Sequence, residues 1–278
     1  MPRPHRGARH GGLNGVLQIA SIYILVGAAA GTVAGLLGIG GGFIIVPALL
    51  LVFHREAIAP DLAAHLAIGT SLATIVPTSL SSLLAHHRRG AVRWPVFRLL
   101  APGIIAGALS GSMLAGMLAG RMLHAIFAVF ACVAAAQMIS SRKPSAHREL
   151  PNRTGMVGAG WIIGTISGIT GIGGGSLTVP FLLWCNVEIR QAVATSAACG
   201  FPIAVSGTLG FVAGGWHSSG LPAWSTGSVY WPAVLAIAVT SVMFAQVGAR
   251  LAHWLPVKLL KRLFATFLVV MSIKLLAG

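Results

Sequence analysis

The sequence predicts an all-α membrane protein of about eight transmembrane helices, with room for further broken or re-entrant segments, arranged as two homologous repeats. Three observations carry this. Of 278 residues, 56% are hydrophobic and only 8% are charged, against about a quarter charged in a typical soluble domain. The apolar residues are contiguous, in runs of about 18 to 22 without a charge, the length that crosses roughly 30 Å of hydrocarbon. Finally, the string Gly38-Ile39-Gly40-Gly41-Gly42 recurs whole at Gly171-Ile172-Gly173-Gly174-Gly175.

Taken in order, the runs place spans at 17–37, 65–85, 99–119, 122–139, 156–172, 190–213, 229–248 and 259–277. Two apolar pieces, 43–53 and 176–186, are too short to cross as ordinary helices, and each directly follows a glycine string. Residues 31–53 and 164–186 match without gaps at 12 of 23 positions, and Val46-Pro47 falls in register with Val179-Pro180. Thr70-Ser71 with Pro77 matches Thr195-Ser196 with Pro202, and Arg121 to Phe127 matches Lys258 to Phe264. The expected organisation is therefore a basic cytoplasmic N-terminal tail at 1–16, a first transmembrane repeat at 17–139, a polar linker at 140–155 and a second repeat at 156–278.

The net charge of +15 is held in short clusters between apolar runs, not on one face of a soluble fold, so it reads as cytoplasmic flanks and not as a nucleic-acid surface. Eight spans starting inside put the basic residues near 250–262 on the wrong side, and the short piece 176–186 is where a return would correct the count. Such a return would invert the second copy relative to the first; the sequence leaves this open. Cys132, Cys185 and Cys199 show neither paired spacing nor an even count, so they read as inert thiols. The basic start and Ala28-Ala29-Ala30 imitate a signal peptide, but the apolar run continues into the first glycine string.

Exposed backbone amides find no partner in lipid, so a glycine break inside a span must face protein or water. Glycines at 40–42 predict a turn, then a short extended stretch, since the residue before Pro47 is biased away from the helix and Pro47 suits a first helical turn. A helix starting there would aim free N–H groups and a positive dipole end at an anion. The competing reading is that the glycines only let helices pack closely. Thr70, Ser71, Thr195 and Ser196 offer hydroxyl donors that could line the same cavity, or bond back to their own helices.

The acidic residues are Glu56, Asp61, Glu149 and Glu188, all in loops or at span ends. Cation carriers and proton pumps place carboxylates mid-membrane, so their absence disfavours cation transport. His65, Gln137 and Gln246 are read as structural, with proton coupling the lesser alternative for His65. His86-His87-Arg88-Arg89 reads as a headgroup anchor. No H-E-x-x-H, Gly-x-Ser-x-Gly or carboxylate pair in a span is present, the glycine string lacks the Lys-Ser/Thr of a P-loop, and no βαβ context supports a dinucleotide site. Neither enzyme chemistry, a cofactor nor a metal is expected.

The pair Gly-Ile-Gly-Gly-Gly-x-x-x-Val-Pro at 38–47 and 171–180, each followed by a Thr-Ser helix at 67–71 and 192–196, resembles the TauE/SafE family, also called the sulfite exporter or DUF81 family. The likeness covers about 20–277. It implies a multi-pass inner-membrane protein that moves sulfur-containing anions such as sulfite and organosulfonates, mostly outward. The residues matching the family pattern are Gly40, Gly41, Gly42, Pro47, Thr70 and Ser71 in the first copy, and Gly173, Gly174, Gly175, Pro180, Thr195 and Ser196 in the second. The copies differ at Phe43 against Ser176, and at Ile68-Gly69 against Val193-Ala194.

The function expected is secondary transport of a small anion, with the bilayer and the anion as partners and homo-oligomerisation left open. The alternative is a non-transporting membrane scaffold or assembly protein, in which the glycines serve packing and the basic loops serve docking.

Overall fold

Small residues spaced four apart form a flat stripe on a helix, along which a second helix can approach to backbone contact. Two such seams organise this protein. The computed structural model describes residues 13–37, 41–56, 58–140, 149–251 and 257–277. Residues 1–12 of the expected tail and 141–148 of the expected linker lie outside that set. The described residues form ten helices: α1 (Leu13–Leu37), α2 (Gly42–Arg55), α3 (Pro60–Arg88), α4 (Trp94–Met117), α5 (Gly120–Ser140), α6 (Arg153–Thr170), α7 (Gly175–Trp184), α8 (Ile189–Gly214), α9 (Trp231–Leu251) and α10 (Val257–Ala277). A two-residue antiparallel ladder, β1 (Ser225–Thr226) with β2 (Val229–Tyr230), lies between α8 and α9.

The chain is thus an all-helical membrane protein, and stretches of α1, α3, α4, α5 and α8 are long and apolar enough to cross a bilayer. The two pieces left over from the span count are helices of 14 and 10 residues. They rise about 21 Å and about 15 Å, short of the roughly 30 Å needed to cross. One local expectation is corrected. No extended stretch precedes Pro47, because α2 begins at Gly42 and carries Pro47 as its sixth residue, and α7 carries Pro180 in the same place. Burial of Phe43, Ile45, Val46, Pro47 and Leu49 along α2 outweighs the bias of a residue preceding proline against the helix. The ring still removes one helical bond, leaving the carbonyl four residues back without its usual donor.

The first seam joins α4 to α6. A methyl group added at Gly103, Gly107 or Gly111 would strike the backbone of α6 at Val157, Trp161 and Thr165 in turn; one added at Gly160, Gly164 or Gly168 would strike Leu100, Ile104 and Ala108. Numbers rise together on both sides, so the helices run parallel. The second seam joins α1 to α9, where Gly27 lies on the Ile237 backbone and Gly31 on that of Ser241, and Ser241 Oγ donates to the Gly27 carbonyl at 3.0 Å. Gly27 and Gly31 align with Gly160 and Gly164 through the glycine strings; Ile237 and Ser241 align with Leu100 and Ile104 through the Trp-Pro pairs at 94–95 and 231–232. Thus the same contacts occur twice.

Between the seams, α3 packs on α8. Gly200 approaches Ser79 and Gly207 approaches Leu72, so these two aligned helices run antiparallel. The buried side chains, from Phe43, Phe53 and Leu66 to Leu100, Phe127 and Phe211, fill the space around this pair.

Candidate functional site

The glycine strings end the first helix of each copy and begin the next. Gly40, with Gly38 and Ile39, lies outside the described residues. Gly41 is the residue before α2, with φ −77° and ψ −11°. In the second copy α6 stops at Gly171, whose φ of 72° is left-handed and whose N–H donates to the Ser167 carbonyl at 2.9 Å. That conformation favours glycine. The positive-φ position is thus the first glycine of the string; Gly174, before α7, sits at φ −49°.

The two strings touch. A methyl group at Gly42 would fall 2.6 Å from the Gly171 carbonyl oxygen and 2.9 Å from Ile172 Cα. Ser71 Oγ donates to the same carbonyl at 2.8 Å. A side chain at Gly171 would meet Ile68 and Val46, and one at Gly173 would meet Ile75. The second copy's turn is therefore seated on α2 and α3 of the first, and Gly171 through Gly174 are buried. Pro47 is buried in α2, and Pro180 is half-buried in α7.

Thr70 and Thr195 are fully buried and hold matching hydrogen bonds. Thr70 Oγ1 accepts from the Tyr230 N–H at 3.0 Å, and Thr195 Oγ1 accepts from the Arg93 N–H at 3.0 Å. Tyr230 and Arg93 each precede a Trp-Pro pair that opens the fourth helix of the other copy, where a backbone N–H has no helical partner. These hydroxyl oxygens therefore clamp one copy to the other. Ser196 is different: it is 2% exposed and its Oγ has no partner.

Sequence reasoning did not select Ser176 and Thr178, in the first turn of α7. Both hydroxyls are enclosed and unpartnered, and Thr178 is 0% exposed. The available signal was the comparison of copies: Ser176 aligns with Phe43, and Thr178 aligns with Ile45.

The electrostatics are those of neutral dipoles. Apart from the Tyr23 phenol, every buried side chain bearing oxygen or nitrogen among the described residues is a serine or threonine. Among those residues no group of three His, Cys, Asp or Glu side chains could hold a metal ion. His65 bridges α3 and α4, with Nδ1 2.6 Å from the Asp61 carbonyl and Nε2 3.0 Å from the Ala115 carbonyl. A neutral ring can donate to only one of them at a time. Asp61 Oδ1 accepts from the Gly120 N–H at 2.8 Å, joining the starts of α3 and α5. Partial burial raises the Glu56 carboxyl above its ordinary range. Gln137 and Gln246 are exposed on the outside of the bundle.

A sequence profile described as sulfite exporter TauE/SafE matches residues 23–275. The chain belongs to the TauE/SafE family. A "Probable membrane transporter protein" of Haemophilus influenzae is 39% identical over 254 residues, covering 91% of this chain and 96% of that protein. Another so named, from Methanocaldococcus jannaschii, is 26% identical over 264 residues, covering 94% of this chain and 96% of its own. The Bacillus subtilis protein YdhB, also so named, is 26% identical over 247 residues, covering 86% and 93%. No solved structure matches. As a TauE/SafE protein the chain is a multi-pass membrane protein of a transporter family.

Proposed function

We propose that this TauE/SafE protein is a secondary transporter that carries small sulfur-containing oxyanions, sulfite and organosulfonates among them, out across the bacterial inner membrane. The observation that carries the reading is the contact of Gly42 with Gly171 and Ile172: two half-length helices start where two broken ones end, in a bundle with no buried charged side chain among the described residues. Free N–H groups and positive dipole ends suit an anion there, and non-helical backbone at membrane depth is tolerated where it lines protein or a cavity. The family description favours sulfur oxyanions.

The repeats are read as inverted. The antiparallel run of α3 and α8 and the duplicated seams support an axis in the membrane plane, the usual architecture for alternating access around a central site. The end of α3 and the starts of α4, α6 and α8 share one face, where Arg88, Arg89, Arg93, Arg153 and Arg190 are exposed, against Glu149 and Glu188. By the positive-inside rule that face is cytoplasmic, so an anion would leave from the basic side. The start of α1, parallel to α9, then lies on the opposite face, and this reading replaces the cytoplasmic N-terminal tail expected from the sequence. An inside-negative potential favours exit by about 2.3 kcal/mol per charge per 100 mV, so no coupling ion is required.

The test is efflux from proteoliposomes loaded with sulfite. Saturable efflux, faster with the inside negative and lost in Gly174→Leu while the variant still inserts and stays monodisperse, is the expected result. A wild-type protein that gives no saturable flux of sulfite or a sulfonate at any potential contradicts transport and leaves the scaffold reading.

A further inference from the structure

We infer that the anion is held in the second copy's turn alone, by the hydroxyls of Ser176, Thr178 and Ser196 at the N-terminus of α7, and that it is bound as a monoanion. This rests on the transport reading and sharpens it.

The first link is a contrast between aligned residues. In α2, Phe43 is fully buried, stacked on Phe130 at 5.8 Å and edge-on to Phe264 at 6.2 Å, and Ile45 is buried. Those positions are closed apolar packing. In α7 the same positions are Ser176 and Thr178, whose enclosed hydroxyls bond to nothing. A buried hydroxyl without a partner is disfavoured, because its water bonds are lost and not replaced. Two on one helical turn, with Ser196 on the neighbouring α8, mark a site built for a partner of its own.

The second link is orientation. Several buried Ser and Thr in these helices bond back to the carbonyl four residues earlier, Thr74 to Thr70, Thr170 to Ile166, Ser206 to Pro202 and Ser272 to Leu268. Others, such as Ser71 and Ser241, reach a carbonyl of a neighbouring segment. Thr178 does neither. The Gly174 carbonyl, four residues earlier, already accepts the N–H groups of Thr178 at 2.8 Å and Leu177 at 3.2 Å. Thr178 Oγ1 lies instead 3.1 Å from the point a Gly174 methyl group would occupy, so it faces the start of α7. The end of the Ile203 side chain crowds the same point, closes the approach and has to swing aside to admit a ligand. Ser176 has no helical carbonyl behind it, since Ile172 belongs to the turn.

The third link is charge. Hydroxyl and amide dipoles can solvate one negative charge, but no lysine, arginine or histidine side chain is buried among the described residues to balance a second. Desolvation rises steeply with charge, so a dianion loses more than these dipoles return. Hydroxyls also accept, so a protonated oxyanion can donate its own O–H to one of them. The ligand class is a small oxyanion with a single charge: a sulfonate, or the singly protonated form of sulfite.

The test uses the full-length protein in liposomes, with sulfite and methanesulfonate as probes at mildly acidic and mildly alkaline pH. Methanesulfonate stays a monoanion throughout, so it reports any pH response of the protein itself. Relative to methanesulfonate, sulfite flux should rise toward acid. Thr178→Val and Ser176→Ala should each raise KM about tenfold, the loss of one hydrogen bond to a charged group, while Thr178→Ser stays close to wild type. Ser196→Ala, whose hydroxyl gives up no partner, serves if Thr178→Val fails to insert. Wild-type flux with an unchanged KM in these variants, or sulfite flux that follows the dianion, overturns this inference and leaves transport standing. Absence of wild-type flux for both probes overturns the transport reading and this inference with it.

Discussion

The α1–α9 and α4–α6 seams share two backbone approaches, Gly27 and Gly31 matching Gly160 and Gly164, whereas the two half-helices α2 and α7 share a shape and differ in chemistry. Gly31 on Ser241 and Gly164 on Ile104 are the same approach of two backbones. Phe43 and Ser176 are aligned yet opposite in polarity. A backbone-to-backbone contact admits one residue type, so both copies keep glycine at these two positions. A side chain at a helix start is restrained only by its local neighbours, so one copy can fill the space with aromatic packing while the other leaves hydroxyls there. The framework is common to both copies, and the chemistry is concentrated in one.

The most severe way to break this comparison is to place a side chain in a seam. Gly164→Leu and Gly31→Leu each drive a side chain into a facing backbone that has no room to move. Each should cost about 3 kcal/mol or more and reduce the yield of folded protein, read by thermal unfolding in detergent. If one seam tolerates leucine and the other does not, the two are not equivalent. Next come the clamps. Thr70→Val and Thr195→Val each leave one backbone N–H unanswered and should lower stability by about 1–2 kcal/mol, equally in the two copies. Unequal losses would show that one clamp is idle. The smallest and sharpest pair is Ser71→Ala against Ser196→Ala. The first removes the bond to the Gly171 carbonyl and should cost about 1 kcal/mol; the second removes a hydroxyl without a partner and should leave stability within about 0.5 kcal/mol. Equal costs would place Ser196 in a bond of its own.

Most of the framework was legible in the residues. Low charge, apolar runs and an ungapped match of the two glycine strings follow from a solvent and a duplication that leave their mark on every residue. The half-helices were misread locally because the proline rule describes a chain without neighbours, and burial along α2 overrides it at Val46-Pro47. The left-handed glycine could not be picked out of four, since only the packed turn distinguishes Gly171 from Gly173 or Gly174. Thr70 and Thr195 stood out because they are duplicated, and that duplication serves the clamps to Tyr230 and Arg93, contacts 160 and 102 residues apart in sequence. Ser176 stood out only as a departure from Phe43, and Thr178 not at all, because a search for what repeats gives no role to what differs.

The central claim is that one turn, the second, faces the anion. The most direct measurement is a crystal structure with selenite, the selenium counterpart of sulfite, located by its anomalous scattering. The account predicts one peak at the start of α7, about 3 Å from the Ser176 and Thr178 hydroxyls. A peak at the start of α2 beside Phe43, or selenite bound only at the exposed arginines of the cytoplasmic face, would contradict it.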